Sequence, residues 1–217
     1  MTPRLSNAIS LDEEMVCYET LWASVGVSLK NVATLFKEHA VLPSALLEVV
    51  EKQNLFPVTT LRLEVERYVK GLAGFSVSVH GAYQYPMKLR SARYPIELFY
   101  YRGDIGLAES RCISVVGARQ CSEDGARRAA RLARGLSGAG CTVVSGLAAG
   151  IDTAAMQAAL EAGGRTIGVI GTPINECYHR ENHRLQEQVA KQHLLISQVP
   201  FYRYHVEPFS ARKRYFP

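Results

Sequence analysis

Nowhere in its 217 residues does the chain string together about 18 apolar residues, the length a membrane-spanning helix needs. Its first eleven residues, Met1 to Leu11, lack the basic-then-apolar layout of a secretory leader. Cysteine is sparse and scattered. Cys17, Cys112, Cys121, Cys141 and Cys177 include no C-x-x-C and cannot all pair, which favours free thiols in a reducing, cytoplasmic compartment over a disulfide framework. The glycines form neither G-x-G-x-x-G nor G-x-x-x-x-G-K-[ST], so no dinucleotide or ATP cofactor is expected. No serine sits in a nucleophile elbow, and spacing alone reveals no catalytic centre. Cys177, His179 and His183 have a C-x-H-x3-H spacing but lack a fourth ligand, so no metal is expected either.

What is present suits a globular protein. Hydrophobic residues make up 47% and charged residues 21%, which argues against disorder, and the length suits one ordinary domain plus a smaller one. The net charge of +5 is unevenly spread. Residues 1–110 carry 11 basic and 12 acidic side chains, while 111–140 carry 6 and 2. Residues 141–177 carry 1 and 3, and 178–217 carry 7 and 3. Two segments of the C-terminal half thus hold a net +4 each, a pattern that suits a polyanion such as nucleic acid. A solvated basic surface accounts for the same counts.

Periodicity divides the chain in three. Residues 1–73 read as a small helical module: Leu21, Val25 and Leu29 share a face, Val32, Leu35 and Phe36 repeat at helical spacing, and Pro43-Ser44 marks a start. A further helix is expected over Thr60 to Leu72. Residues 74–110 read as a connecting arm with two short strands, around Val77 and around Phe99. From 111 to 217 the pattern is regular. Strands at 112–116, 142–145, 166–170 and 194–197 alternate with helices at 123–139, 153–162 and 181–192. Such alternation predicts an α/β fold, a Rossmann-like parallel sheet with helices on both faces, here joined to the small N-terminal helical domain.

In such sheets ligands bind beyond the carboxyl ends of the strands. Three turns are expected there. Gly117-Ala118-Arg119 offers a tight turn and a forked donor for phosphate. Ser145-Gly146 through Gly150-Ile151-Asp152 offers backbone N–H groups at a helix start, with Asp152 expected to cap that helix. Gly171-Thr172-Pro173 supplies the third. A generic strand-to-helix turn with an exposed arginine remains the plainer alternative for the first. Arg127, Arg131 and Arg134 line one face of their helix and read as solvated. At the end of the chain, Phe201-Tyr-Arg-Tyr-His and Ser210-Ala-Arg212-Lys213-Arg214-Tyr-Phe216-Pro interleave cations with aromatics. Rings can stack on unpaired bases while cations hold phosphates, or they can anchor the tail to the domain.

Ser145-Gly-Leu-Ala-Ala-Gly-Ile-Asp152, followed by Ala158-Leu-Glu-Ala-Gly-Gly-Arg-Thr-Ile-Gly-Val-Ile-Gly-Thr172, closely resembles the DprA/Smf family. Gly117-Ala-Arg119 is similar to its Gly-Ser-Arg, and Glu181-Asn182 to its Y-P-x-E-N turn. Tyr85-Pro-Met-Lys-Leu89 and the stretch from Tyr94 to Gly103 resemble its pre-core segment. The resemblance covers 85–217 well and the helical module loosely. It implies a non-enzymatic protein that binds single-stranded DNA and, in naturally transformable bacteria, delivers it to the recombinase RecA. Gly117, Arg119, Ser145, Gly146 and Gly150 match the family's phosphate-pocket motifs, and Tyr215-Phe216-Pro217 matches the start of its F-P-x-R-N. Ala149, Met156 and Pro173 stand where the family usually has Arg, His and Gly. The family continues past the point matched by Pro217, so a divergent or shortened member is expected, with an open sheet edge that invites a homodimer. Two other readings compete: a nucleotide-ligand sensor or nucleotide-processing enzyme on a related fold, which lacks its P-G-G-x-G-T motif here, and a functionally silent shortened product.

Overall fold

The computed structural model describes residues 9–24, 34–36, 42–52, 58–93, 96–177 and 180–206. Helix α1 (Leu11–Ala23) starts where the Ser10 hydroxyl accepts the Glu13 N–H, with Asp12, Glu13 and Glu14 in its first turn against the positive end of the helix dipole. Glu14 then serves the next helix. Its carboxylate accepts the Ser44 N–H at 2.8 Å and the Ser44 hydroxyl at 2.6 Å, fixing the start of α2 (Pro43–Lys52) against α1. Helix α3 (Val58–Val69) completes the module, beginning two residues before the expected Thr60. Val25, Leu29 and Val32 lie outside the described residues.

Both arm strands enter the main sheet. β1 (Ser76–Val79) pairs antiparallel with β2 (Leu98–Gly103), with Val77 opposite Tyr100. A single turn, α4 (Met87–Arg90), and a 3-10 turn at Ile105–Glu109 flank β2 in sequence. The chain then alternates β3 (Cys112–Ser114), α5 (Glu123–Gly138), β4 (Thr142–Ser145), α6 (Ile151–Glu161), β5 (Thr166–Ile170), α7 (His183–Gln192) and β6 (Leu194–Ser197). A last short helix, α8, covers Phe201–Val206. Strand order is β1-β2-β6-β5-β4-β3, parallel from β3 to β6 and antiparallel from β6 through β2 to β1.

That order has a consequence for the layers. β3 to β6 step across the sheet in one direction, and right-handed crossovers then place every connecting helix on the same face. One core cluster accordingly unites Ala129 and Ala133 of α5, Ala155 and Met156 of α6, and Leu185 and Val189 of α7 with Val143, Leu195 and Tyr100 of the strands. It also takes in Tyr18 and Trp22 of α1, so the helical module covers the antiparallel end of that face. The opposite face carries Phe99, Ile167, Leu194 and Ile196, and is roofed by Tyr85, Leu89, Leu107 and Ala108 from the arm and the two short turns. The two faces are thus covered unequally. On the thinner side Val169, in an interior strand, stays 46% exposed. No described helix is long and apolar enough to cross a membrane.

Candidate nucleic-acid interface

At the carboxyl ends of β3 and β4 the chain turns sharply twice, and the turns touch. Gly150 has φ +81°, and a Cβ there would lie 2.3 Å from the Ala118 carbonyl oxygen. A Cβ on Gly117 would lie 2.7 Å from the Ile151 side chain. The Ile151 N–H donates to the Ala118 carbonyl at 3.2 Å. Glycine at 117 and 150 is therefore a condition of the loops meeting. Between them Leu147, with φ +57°, is a non-glycine residue in the left-handed region, a conformation costing of order 1–3 kcal/mol that its surroundings must enforce. Its buried side chain fills the space that Gly168 leaves open on β5.

Asp152 holds the turns together. Its carboxylate accepts the Gly117 N–H and the Gly146 N–H, each at 3.1 Å, and the residue is 6% exposed. It was expected to cap α6, but its side chain instead clamps two loops from the first turn of that helix, whose cap position is Gly150. The N–H groups of Gly117 and Gly146 are consequently engaged by protein. The Ser145 hydroxyl is also turned inward, donating to the Val115 carbonyl at 2.7 Å. Gly117, Ala118 and Arg119 form the exposed part of the site, with Gly150 half-buried beside them.

A third segment joins from the turn before α7. The buried Asn182 donates to the Leu147 carbonyl at 2.9 Å and to the Thr153 hydroxyl at 2.7 Å, while that hydroxyl donates to the Ala148 carbonyl. Asn182 thus secures the backbone of the strained Leu147, and Arg180, in the same turn, is exposed. Sequence reading of the residues alone missed the roles of Asp152 and Asn182. The spacing Gly146-x5-Asp152 was the available signal, since it returns a carboxylate to the start of its own loop. The third expected turn is built differently. Thr172 accepts the Ser197 hydroxyl through its carbonyl at 2.6 Å, which ties the end of β5 to β6 and leaves Thr172 buried.

The remaining basic groups fall into two sets. On α5, Arg127 and Arg128 pair with Glu123 and Asp124 while Arg134 reaches Glu161, all well exposed, in keeping with a solvated face. Phe201, the first ring of the aromatic-basic stretch, is fully buried, with ring centroids 4.8 Å from Tyr100 and 4.9 Å from Phe75. Phe201 thus anchors α8 to the core and is not available to stack on bases, while Tyr204 and His205 beyond it keep exposed surface. Arg212, Lys213, Arg214 and Phe216 lie outside the described residues, as does His179. Chemically, the exposed loop carries the Arg119 side chain at the carboxyl edge of the sheet. Nothing among the described residues there pairs an acid with a base for bond-making.

Comparison with known proteins agrees with this arrangement. The family described as DNA recombination-mediator protein A matches residues 76–216, which takes in every strand and all the loops above. The DNA processing protein DprA of Streptococcus pneumoniae is 41% identical over 114 residues, 52% of this chain and 40% of that protein. That of Bacillus subtilis is 32% identical over 169 residues, 73% of this chain and 57% of that protein. The chain therefore spans about half the length of these relatives. Among solved structures, that of DprA from Streptococcus pneumoniae superposes with a TM-score of 0.63 at 27% identity, over 96% of this chain and 75% of that one. DNA processing protein A from Helicobacter pylori, whose structure was described for its single-stranded DNA binding mode, shares the fold with a TM-score of 0.52 at 23% identity, over 64% of this chain and 60% of that one. With nearly two thirds of its length matched, the chain belongs to the DNA recombination-mediator protein A family, that of the DprA and Smf proteins.

Proposed function

We propose that this chain is a cytoplasmic, non-enzymatic binder of single-stranded DNA that serves DNA uptake and hands the strand to RecA. The observation that carries the reading is the exposed Gly117–Arg119 loop, seated beside Gly150 in the region where the family matches. Gly117, Ala118, Arg119 and Gly150 form its phosphate-facing surface, Ser145 and Gly146 shape the loops from behind, and Arg212, Lys213, Arg214 and Phe216 extend the contact along the tail. The buried Asp152 carboxylate directly behind the loops disfavours a compact dianionic phosphate, which weighs against a nucleotide sensor or nucleotide-processing enzyme. RecA as recipient is supported by the family resemblance alone.

Labelled single- and double-stranded oligonucleotides titrated across a salt series test the reading. If about four phosphates are neutralised, affinity for single strands should fall roughly sevenfold for each doubling of salt. Arg119→Ala should weaken binding roughly tenfold to a hundredfold, and Arg131→Ala less than about fivefold, since a charged hydrogen bond at a built site outweighs an exposed charge. Equal affinity for duplex, or equal losses in the two variants, would overturn it. The homodimer belongs to the same proposal. Among the described strands β3 lies at an edge of the sheet, and its outer backbone groups are a template for a second copy. Light scattering over a concentration range should register a dimer, and a strict monomer at high concentration would show the edge to be sealed.

A further inference from the structure

At the opposite edge of the sheet from β3, a strand with open backbone groups borders a groove. β1 is the outermost described strand of the antiparallel end. The His80 N–H donates to the Glu97 carbonyl at 2.8 Å, a pair that continues the β1–β2 register. Antiparallel pairs alternate between bonded and unbonded, so the backbone groups of Val77 and Val79 point away from β2. The Val79 carbonyl accepts the Ala82 N–H at 3.0 Å. The N–H and carbonyl of Val77 face the open edge, directed as a further strand would need them. Beside that edge, Leu11 and Met15 of α1, Val69 at the end of α3, Leu72, Phe75 and Val77 line a groove of about 640 Å³. Asp12, Glu13 and Glu66 lie along it against a single cation, Lys70. Glu66 pairs with Lys70 and Glu13 with Arg62, while the exposed Asp12 has no ion pair among the described residues.

We propose that the chain's own tail, residues 207–217, adds to β1 as a further strand with its rings in this groove, and that docking there withholds the tail from DNA. α8 delivers the tail to the spot. The Phe201 ring at its start lies 4.9 Å from Phe75, and the His205 ring near its end lies 6.1 Å from Tyr68, the neighbour of Val69. The residues beyond α8, fully extended, reach about 36 Å. Phe209, Ala211, Lys213 and Tyr215 share one face of such a strand, and Pro208 and Pro217 bound it. The two rings suit the apolar lining, and Lys213 suits Asp12. Overall charge agrees: residues 207–217 hold 3 basic and 1 acidic side chains, whereas residues 1–73 hold 7 and 9. Residues 1–8, which lead into α1 beside the groove, are the rival occupant, but they carry no ring and Pro3 removes a strand donor.

The two destinations of the tail exclude each other. β1 and β3 are opposite edges of the sheet, five strand spacings or about 24 Å apart. A tail paired along β1 holds Arg212, Lys213 and Arg214 at the antiparallel end, away from a nucleic-acid strand seated at Arg119. The docking stands on the groove and the open edge, and the exclusion alone rests on the DNA-binding reading.

Amide hydrogen exchange at Val77 in the full chain reads the docking without DNA, because a pairing strand takes up that N–H. Val77 should be protected to the same degree at every protein concentration. Phe209→Ser combined with Tyr215→Ser should lower its protection about tenfold, with Ile167 of the sheet unchanged as the sign of an intact fold. Arg214→Ser, on the other face of the strand, should leave the protection in place. An unprotected Val77, or protection that survives the double substitution, would overturn the proposal. So would protection that grows with protein concentration, which marks a second copy, or that is lost in Leu5→Ser, which marks residues 1–8. A second arm adds single-stranded oligothymidylate, its binding followed in the same sample by fluorescence anisotropy. Val77 protection should fall in step with that binding. Binding with undiminished protection would overturn the exclusion, whereas no binding counts against the DNA-binding reading, and the first arm alone then decides the docking.

Discussion

The two ends of the sheet are closed by opposite means. At the parallel end, backbone lies against backbone: Gly117 and Gly150 admit the contact of two loops, and Ala155, Ala158 and Ala159 let α6 press into the layer beneath. At the antiparallel end rings do the filling. Tyr18, Trp22, Phe75, Tyr100 and Phe201 meet mostly edge to face, with centroids 4.8 to 6.4 Å apart. Each end is then tied by one buried carboxyl group that accepts two backbone N–H groups, Asp152 from two separate loops and Glu19 from the adjacent residues Phe201 and Tyr202. Small residues make a surface whose shape is fixed by the backbone, which is what a site for an extended polyanion requires. Rings make a junction assembled from side chains of several elements, with Phe201 of α8 at its centre.

The sharpest way to break the comparison is to neutralise each carboxylate in turn. Asp152→Asn should cost about 2–3 kcal/mol in urea unfolding at pH 7, because the amide keeps one acceptor for two N–H groups and faces the other with its own NH2. Glu19→Gln meets the same mismatch at the N–H groups of Phe201 and Tyr202, but there it also removes a charge that burial opposes, so the net cost should stay below about 1 kcal/mol. The sign at Glu19 follows from its raised value. Its contribution is fully present below 4.5 and lost as pH rises to 7, so the small cost of the variant should shrink further above neutrality. Equal costs for the two substitutions would mean that both carboxylates are merely buried acids and that the ends do not differ in kind.

These two ends also differed in how far they could be read in advance. The parallel end was legible because its geometry demands particular residues at short spacing: glycine at 117 and 150, and strands of near-continuous Val and Ile bounded by turns. What short spacing cannot convey is which N–H groups remain free, and Asp152 takes two that the glycine pattern had offered to an anion. The junction of rings had no such signature. Tyr18, Phe75, Tyr100 and Phe201 are scattered over the chain, each an ordinary aromatic in its own segment, and only the pairing of β1, β2 and β6 brings them together. For that reason Phe201-Tyr-Arg-Tyr-His read equally well as a stacking platform or an anchor, and tertiary packing decided for the anchor at Phe201. The monotonic strand order was equally hidden, because alternation of strand and helix is the same for one-sided and two-sided windings.

The smallest expected effect concerns the seam between the ends. Arg102, on β2, makes a forked pair with Glu187 of α7, at 2.6 and 3.0 Å, with both side chains less than a third exposed. The Arg102 guanidinium holds the Glu187 carboxyl below the usual carboxylate range. A lowered value has the opposite consequence to that at Glu19: the stabilisation is present above about 4.5, the unfolded value, and is lost as pH falls through the lowered one. His80 and His193, both lowered by burial, also withdraw stability in acid, so the total profile mixes several groups. The difference between wild type and Glu187→Gln isolates this one. It should be constant at about 1 kcal/mol above pH 5 and fade as pH falls through the lowered value, measured by urea unfolding at each pH. A difference that persists undiminished in acid would show that the side chain contributes packing alone, and that the sheet's two ends are joined by the β2–β6 ladder without help from charge.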